Sequence, residues 1–311
     1  MNHRALMLLP GPTIGIAITG ATVGVLVIGF CRARRQHPFP IHGWLGIAAL
    51  AGAEWLLFRS IAPVPIYFTP IAWSAYMLIV DAAVLALTGR SRLSDAPITL
   101  ARMALLSIPL WLIFEAYNWR LYNWTYLGVP HQWLAAGTGY GWSFATITPA
   151  IFETSDLVQA LLPPIPIKPW TISSTAETVL IVCGAASLII PLVIPPHMAA
   201  RIFFLVWVGF ALLLEPINRR LSLPSFLGDF SEGSARRFWS FLLAGWICGW
   251  LWEFWNYWAA AKWNYTFPMF QNLKLFEMPA PGYLGFVPFA LECFTMYVTA
   301  AWLVGWVKRV K

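Results

Sequence analysis

Nine stretches of nearly continuous apolar residues punctuate the chain, near 12–31, 43–62, 68–88, 103–122, 140–163, 177–195, 201–217, 238–258 and 283–306. Each is about as long as a bilayer crossing, which takes roughly 20 residues as a helix. Runs of that length predict membrane-spanning helices rather than strands. The fifth is interrupted, because Glu153 and Asp156 lie inside it and Pro149 is placed to bend it. A kinked helix or a partly re-entrant segment is tolerated there where protein rather than lipid surrounds the backbone. The pattern therefore predicts an all-α, polytopic integral membrane protein with about nine transmembrane helices.

Composition agrees. Hydrophobic residues make up 59% of the 311 and charged residues only 11%, more apolar surface than a soluble domain of this size can hide. The basic residues set an orientation. With the N-terminus outside, the inside loops hold Arg32, Arg34, Arg35, Arg90, Arg92, Arg102, Lys168, Arg219, Arg220, Arg236, Arg237, Lys308, Arg309 and Lys311, which is 14 of the 20 Lys and Arg. The positive-inside rule then predicts N-out, C-in, in the plasma (cytoplasmic) membrane. The net charge of +7 follows from this bias and implies no nucleic-acid partner. No signal peptide is expected, since the first apolar run reaches Cys31 without a small-residue cleavage site and Arg32-Ala33-Arg34-Arg35 stops transfer. The cysteines are isolated and no histidines pair at i,i+4, so neither a metal site nor another cofactor is expected.

Six acidic residues within the apolar stretches recur in the same order in two halves. Trp73 precedes Asp81 by eight residues, and Trp207 precedes Glu215 by eight. Glu115 and Asn118 are followed by Trp124-Thr125-Tyr126; Glu253 and Asn256 are followed by Trp263-Asn264-Tyr265. Pro149 then leads to Glu153 and Pro288 to Glu292, each four residues on. The match runs roughly 73–156 onto 207–295, with one residue inserted between Glu253 and Trp263. Each unit crosses the membrane three times from the outside, so the two repeats run parallel rather than inverted. The predicted organisation is an N-terminal two-helix addition over 1–67, a first three-helix repeat over 68–163, a one-helix linker over 164–200 and a second repeat over 201–311.

Carboxylates within a membrane are costly and usually face a bundle interior or cavity, so each is a site candidate. On a 3.6-residue helix Trp111, Glu115, Asn118 and Tyr122 share one face, as do Trp246, Trp250, Glu253, Asn256 and Tyr257. Carboxylate and carboxamide are then expected to bond each other or a common ligand, flanked by indoles. Gly245 and Gly249 form a small-xxx-small step suited to close helix approach. Interfacial preference accounts for tryptophans such as Trp124, Trp133 and Trp263. It accounts less well for Trp246 and Trp250, which lie towards mid-span.

Carboxylic acids among aromatic faces suit carbocation chemistry. A desolvated acid keeps its proton and can protonate a carbon–carbon double bond while ring faces stabilise the cation. A second carboxylate, or Asn and water, then removes a proton.

The run WEFWNYWAAAKWNY followed by FEMPAPGYLGFVPFALECF resembles the membrane-type lycopene cyclases, small helical cyclases that occur as heterodimers or tandem fusions. The resemblance covers 238–297 best and 103–156 more weakly. It implies two three-helix units acting on an isoprenoid, with an acid on one helix, a Trp-x-Tyr after it and an acid step opening the next. The family's second, paired acid is replaced by Cys293 after Glu292 and by Thr154 after Glu153.

The reading that follows is a membrane enzyme performing acid–base chemistry on an isoprenoid- or carotenoid-like lipid drawn from the bilayer. Cyclisation, isomerisation and hydration all fit. Glu253 and Glu292 are expected as acid and base, with Asn256 orienting one of them and Glu115, Glu153 and Asn118 as counterparts. Trp246, Trp250, Trp255 and Tyr283, with Trp111, Tyr122, Asp81 and Glu215, are expected to contact substrate. The rivals are a proton-coupled transporter and a non-catalytic lipid-binding assembly factor. No oligomeric state is read from the sequence.

Overall fold

The computed structural model describes residues 10–307. Every predicted apolar stretch holds a helix: α1 (Pro10–Arg32), α2 (Ile41–Phe58), α3 (Val64–Thr88), α4 (Pro97–Leu121), α5 (Trp133–Leu161), α6 (Ser174–Val193), α7 (Val206–Arg220), α8 (Arg236–Trp258) and α9 (Tyr283–Leu303). Six of these, α1 to α4, α6 and α9, are long and apolar enough to cross a bilayer, so the chain is a multi-pass membrane protein. The other three fall short for visible reasons. Helix α5 carries Glu153 and Asp156, α7 has only 15 residues, and α8 opens on two arginines and is dense in weakly hydropathic indoles.

The boundaries follow local chemistry. Proline at the start of α3 and α4 needs no intrahelical partner for its missing N–H. Gly89 ends α3 in the left-handed conformation, and the Ser173 hydroxyl caps α6 by accepting the Ala176 N–H. Helix α5 passes through Pro149 as one 29-residue element. The turn before the proline is opened by a neighbour. Ser107 Oγ of α4 accepts the Thr148 N–H at 3.0 Å and donates to the Phe144 carbonyl at 2.5 Å. It thereby stands between two groups that would otherwise bond each other.

The fold is not purely helical. Strand β1 (Trp124–Leu127) pairs antiparallel with β2 (Lys262–Tyr265), and a small hairpin joins β3 (Lys274–Leu275) to β4 (Met278–Pro279). Strands of four and two residues are too short to leave a readable period in a sequence, and they sit in connections that read as aromatic loops.

Packing repeats itself. Helix α5 packs against α3 and α4, and α9 packs in the same way against α7 and α8. Across the two groups α5 packs on α8 and, less extensively, α4 on α9. Helix α2 lies on α3, α6 on α7, and α1 against α8 and β3. The α8–α9 approach depends on glycine: a Cβ at Gly245 would stand 2.2 Å from the Phe286 carbonyl oxygen, and one at Gly249 only 2.4 Å from the Phe286 ring. One end of the bundle carries the β1–β2 ladder. The opposite end carries the arginine-rich loops, where Ile167 donates its N–H to the Gly233 carbonyl.

The register of the ladder yields a direct test. Thr125 lies opposite Asn264, and directly opposed residues hold their Cβ atoms about 4.5–5.5 Å apart. A Thr125→Cys/Asn264→Cys protein should form a reducible intramolecular cross-link that neither single variant forms. A double variant whose electrophoretic mobility is indifferent to oxidant would contradict this pairing.

Candidate functional site

Two sets of side chains, one from each three-helix group, meet at the ladder with nearly the same bonds. In the first, Asn118 Oδ1 accepts the N–H groups of Asn123 (2.9 Å) and Trp124 (3.1 Å), while its Nδ2 donates to the Trp124 carbonyl (2.9 Å). In the second, Asn256 Oδ1 accepts the Trp263 N–H (2.9 Å) and its Nδ2 donates to the Trp263 carbonyl (2.8 Å). Each carboxamide thus completes the backbone pairing of the first residue of a Trp-x-Tyr triplet. The triplets then pair with each other, Trp124 opposite Tyr265 and Tyr126 opposite Trp263. Exchanging one triplet for the other leaves that pattern unchanged.

The two carboxylates stand beneath this ladder. Glu115 Oε1 accepts from Trp111 Nε1 (2.8 Å), Trp124 Nε1 (3.2 Å) and the Tyr126 hydroxyl (2.5 Å). Glu253 Oε1 accepts from Trp263 Nε1 (3.2 Å) and the Tyr265 hydroxyl (3.1 Å). The third donor is missing in the second set, where Gly249 stands in register with Trp111. Burial, followed by the neighbouring carboxylate, pushes both phenols well above the usual tyrosine range, so they remain donors. The inserted residue near Glu253 is also explained. Helix α4 turns to β1 through a left-handed Tyr122 (φ 53), whereas α8 ends in an extended Ala259 and uses the longer connection.

A cavity of about 110 Å³ lies under the ladder. Six tryptophans face it: Trp73, Trp111, Trp124, Trp207, Trp252 and Trp263. They come from both groups, as do Tyr126, Tyr265, Phe144, Phe286 and Phe289. Helix α3 and the first half of α5 supply the remaining wall, with Tyr67, Thr69, Pro70, Gly139 and Ser143. Lys262 sits at the rim and pairs with Glu277 at 2.5 Å. Two polar atoms on the wall, Trp73 Nε1 and Thr69 Oγ1, are buried with no hydrogen-bond partner among the described residues. Glu115 and Glu253 stand immediately behind the wall, screened from the cavity by the phenols and indoles they bond.

Of the residues expected to contact a substrate, only Trp111 is on this wall. Trp250 stacks on Tyr283, with centroids 3.9 Å apart, and Trp246 packs on Trp250. The Tyr283 hydroxyl donates to the Leu275 carbonyl, fixing the β3–β4 hairpin instead. Trp255 is buried against Trp73 and Tyr76, one layer behind the cavity. Tyr122 is 66% exposed. The expected Glu–Asn bonding is also absent, because each Asn is occupied by backbone and each Glu by ring donors. Helical spacing put these residues on one side of a helix, but the wall is drawn from six helices and two strands.

Asp81 and Glu215 lie at the arginine-rich end, far along their helices from the ladder. Asp81 accepts the Leu93 N–H and the Ser91 hydroxyl, both at 2.8 Å, and lies 3.1 Å from His42 Nε2. Glu215 accepts the Leu227 N–H at 2.8 Å. Both acids serve the N-terminus of a short helix, Arg92–Asp95 or Phe226–Ser231, whose serine at position 91 or 225 caps it. The signal was legible. Ser91-Arg92-Leu93-Ser94-Asp95 and Ser225-Phe226-Leu227-Gly228-Asp229 share a Ser-x-Leu-x-Asp pattern ten residues beyond the acid.

Glu153 and Glu292 are both fully buried but lie away from the cavity and differ from each other. Glu292 Oε1 accepts the Phe210 N–H at 3.0 Å. Neither oxygen of Glu153 has a hydrogen-bond partner among the described residues. The expected Glu253–Glu292 pair does not face a common space.

Comparison with protein-family models, with curated proteins and with solved structures returns no match. The resemblance of 238–297 to the membrane-type cyclases therefore rests on its own residues.

Truncation separates acceptor from acid. Glu253→Leu leaves the buried Tyr265 hydroxyl without its acceptor, while Trp263 Nε1 keeps only the Tyr265 oxygen. An unpaired buried donor costs about 1–3 kcal/mol, so the melting temperature in detergent should fall markedly. Glu253→Gln keeps an acceptor oxygen and should melt close to the parent protein. Equal melting of the Leu and Gln variants would show that these bonds do not support the ladder.

Proposed function

We propose that this chain is a membrane-embedded enzyme performing acid–base, carbocation-type chemistry on an isoprenoid-like lipid that enters the aromatic cavity from the bilayer. The observation that carries this reading is the convergence of two Glu–Trp–Tyr sets, one from each three-helix group, on a single tryptophan-walled cavity. An internal duplication accounts for that convergence. The resemblance of the second group to membrane-type lycopene cyclases supports the substrate class.

The geometry favours Glu253 and Glu115 as the working pair, with Glu292 and Glu153 outside the reacting space. In this mechanism the Tyr265 hydroxyl turns from Glu253 towards an alkene carbon and gives it a proton. Glu253, protonated at the start, passes its own proton to the phenolic oxygen, leaving a carboxylate and a substrate cation. The π faces of Trp73, Trp207 and Trp252 hold the positive charge. Loss of a proton from a neighbouring carbon, through Tyr126 to Glu115, restores a double bond. One proton enters and one leaves, so rearrangement of the carbon skeleton or of a double bond needs no external oxidant. Asn256 and Asn118 act as positioning residues that hold the triplets in register.

Nine crossings with the N-terminus outside and the C-terminus inside fit the observed loop contacts. The β1 and β2 connections are separated by four helices and meet at one end. The connections near Ile167 and Gly233 are separated by two and meet at the other. Crossings by α5, α7 and α8 as well would give that parity. The arginine-rich end is then cytoplasmic, which suits a plasma-membrane location.

The test uses the purified protein with its copurifying lipid, and with polyene isoprenoids supplied in vesicles. Glu253→Gln and Glu115→Gln should each insert, melt normally and lower product formation by roughly 10²–10⁴-fold. Trp252→Phe should cost less than Trp252→Leu, because an aromatic face remains. Trp250→Leu, away from the cavity, should act on stability rather than on turnover. Full activity in both Gln variants would remove the proposed acids. Tight lipid binding with no product from the parent protein would leave a lipid-binding role instead.

A further inference from the structure

Helix α3 brings two polar side chains to the cavity wall one turn apart, and the protein engages neither. Thr69 and Trp73 stand at i and i+4 on one face, and both line the cavity. Both are buried, and Thr69 Oγ1 and Trp73 Nε1 have no hydrogen-bond partner among the described residues. A threonine inside a helix can return its hydroxyl to the carbonyl four residues back, as Thr88, Thr138, Thr178 and Thr299 do. Thr69 makes no such bond. The carbonyl four residues back belongs to Pro65, which already accepts the Ala260 N–H at 2.8 Å, and the backbone between them leaves helical geometry at Tyr67. Trp73 packs among the rings of Tyr76, Trp252 and Trp255. The two neighbouring indoles are donors only, and the Tyr76 hydroxyl is bonded to Thr154. Elsewhere on the wall, Trp111, Trp124 and Tyr126 bond Glu115, Trp263 and Tyr265 bond Glu253, and Tyr67 bonds the Ala135 carbonyl. In the second group the position four before Trp207 is Phe203, whose ring packs on Trp207, so the matching turn carries no hydroxyl.

We propose that the cavity takes an oxygenated isoprenoid, an alcohol or a carbonyl compound rather than a plain hydrocarbon, with its oxygen lodged against the Thr69–Trp73 turn of α3. This rests on the reading of the cavity as a lipid site and adds to it the polar end of the ligand. A buried donor left without an acceptor is costly, and an oxygen lone pair is what both donors lack. An alcohol or carbonyl oxygen can accept from both. A hydrocarbon of the same shape leaves both unpaired, and a site with unpaired polar atoms discriminates against the ligand that lacks their partner. With the oxygen held at α3, the remainder of the chain is left for the ring faces and for the phenols under the ladder. The anchor therefore selects the ligand by one atom at one wall, while the aromatic surface receives its apolar length.

Equilibrium binding to the full-length protein in vesicles tests this without any turnover. The probes are radiolabelled linear polyprenols of several chain lengths and the alkenes of the same skeleton that lack the hydroxyl. The two partition differently into the bilayer, so the quantity read is the alcohol-to-alkene affinity ratio, compared between the parent protein and its variants. Thr69→Val keeps the shape without the hydroxyl and should lower that ratio roughly 3- to 10-fold, the factor expected of one net hydrogen bond. Thr69→Ser should restore most of it, and Trp73→Phe should lower it by a similar factor. Trp250→Phe is the control. Trp250 Nε1 is also unpaired among the described residues, but its ring stacks on Tyr283 away from the cavity, so the ratio should stay at the parent value. Should Trp73→Phe fail to fold, the Thr69→Val and Thr69→Ser ratios still decide. An unchanged ratio in Thr69→Val, or a fall in Trp250→Phe as large as in Trp73→Phe, would overturn the inference while leaving the lipid reading in place. A parent protein that binds neither probe removes both. One that shows the variant-sensitive preference yet forms no product bears on the enzyme reading alone.

Discussion

The antiparallel pairing of the two Trp-x-Tyr triplets is the constraint on which the rest of the structure depends. It joins the connection after α4 to the connection after α8 and so fixes the two three-helix groups face to face. Eight ladder residues could not hold such an arrangement alone, since an isolated two-stranded ribbon is marginal in water. Here Asn118 and Asn256 occupy the free backbone groups of Trp124 and Trp263, and Glu115 and Glu253 gather the ring donors below. Each such bond contributes about 0.5–1.5 kcal/mol net, but leaving any of these buried groups unpaired costs more. The arrangement is therefore stable as a set and intolerant of partial loss.

That set explains why polar residues persist in the two most aromatic connections of the chain. A carboxylate at this depth needs donors, and indole N–H and phenol O–H groups supply them without introducing further charge. The same rings present their apolar faces to the cavity. Their polar edges serve the fold while their faces remain free for a ligand. On the proposed acid–base reading the separation into two sets matters as well, because a proton donor and a proton acceptor must differ in state during one cycle.

The two groups do not remain equivalent. Trp111 gives Glu115 a third donor where Gly249 lets α8 close upon Phe286. The first half of α5 is a helix rich in small residues along the cavity, whereas the corresponding stretch before α9 is the β3–β4 hairpin. Close packing on one side and open space on the other place the cavity against α3 and the first half of α5. The same asymmetry continues downward, where Tyr76 and Thr154 provide hydroxyls that Phe210 and Cys293 lack.

The sequence by itself determined the nine helices, because apolar runs of bilayer length leave the backbone no alternative to internal hydrogen bonding. It also determined the paired order of Asp81 and Glu215, Glu115 and Glu253, Glu153 and Glu292, since order along a chain needs no tertiary knowledge. It marked Gly245 and Gly249 as a close approach, and the structure puts Phe286 against both. Only the tertiary structure decided what each acid does. Asp81 and Glu215 look like Glu115 and Glu253 in sequence, yet they cap short helices because the chain folds back on them twelve residues later. Trp250 shares a helical face with Glu253 by spacing, but the arrival of Tyr283 from α9 takes its ring. Trp73, Trp207 and Trp252 come from three helices, and no periodicity within any one of them reveals that they meet. A helical face is a local property of 3.6 residues per turn, whereas a cavity is what remains after several such faces have packed, and only the packing specifies it.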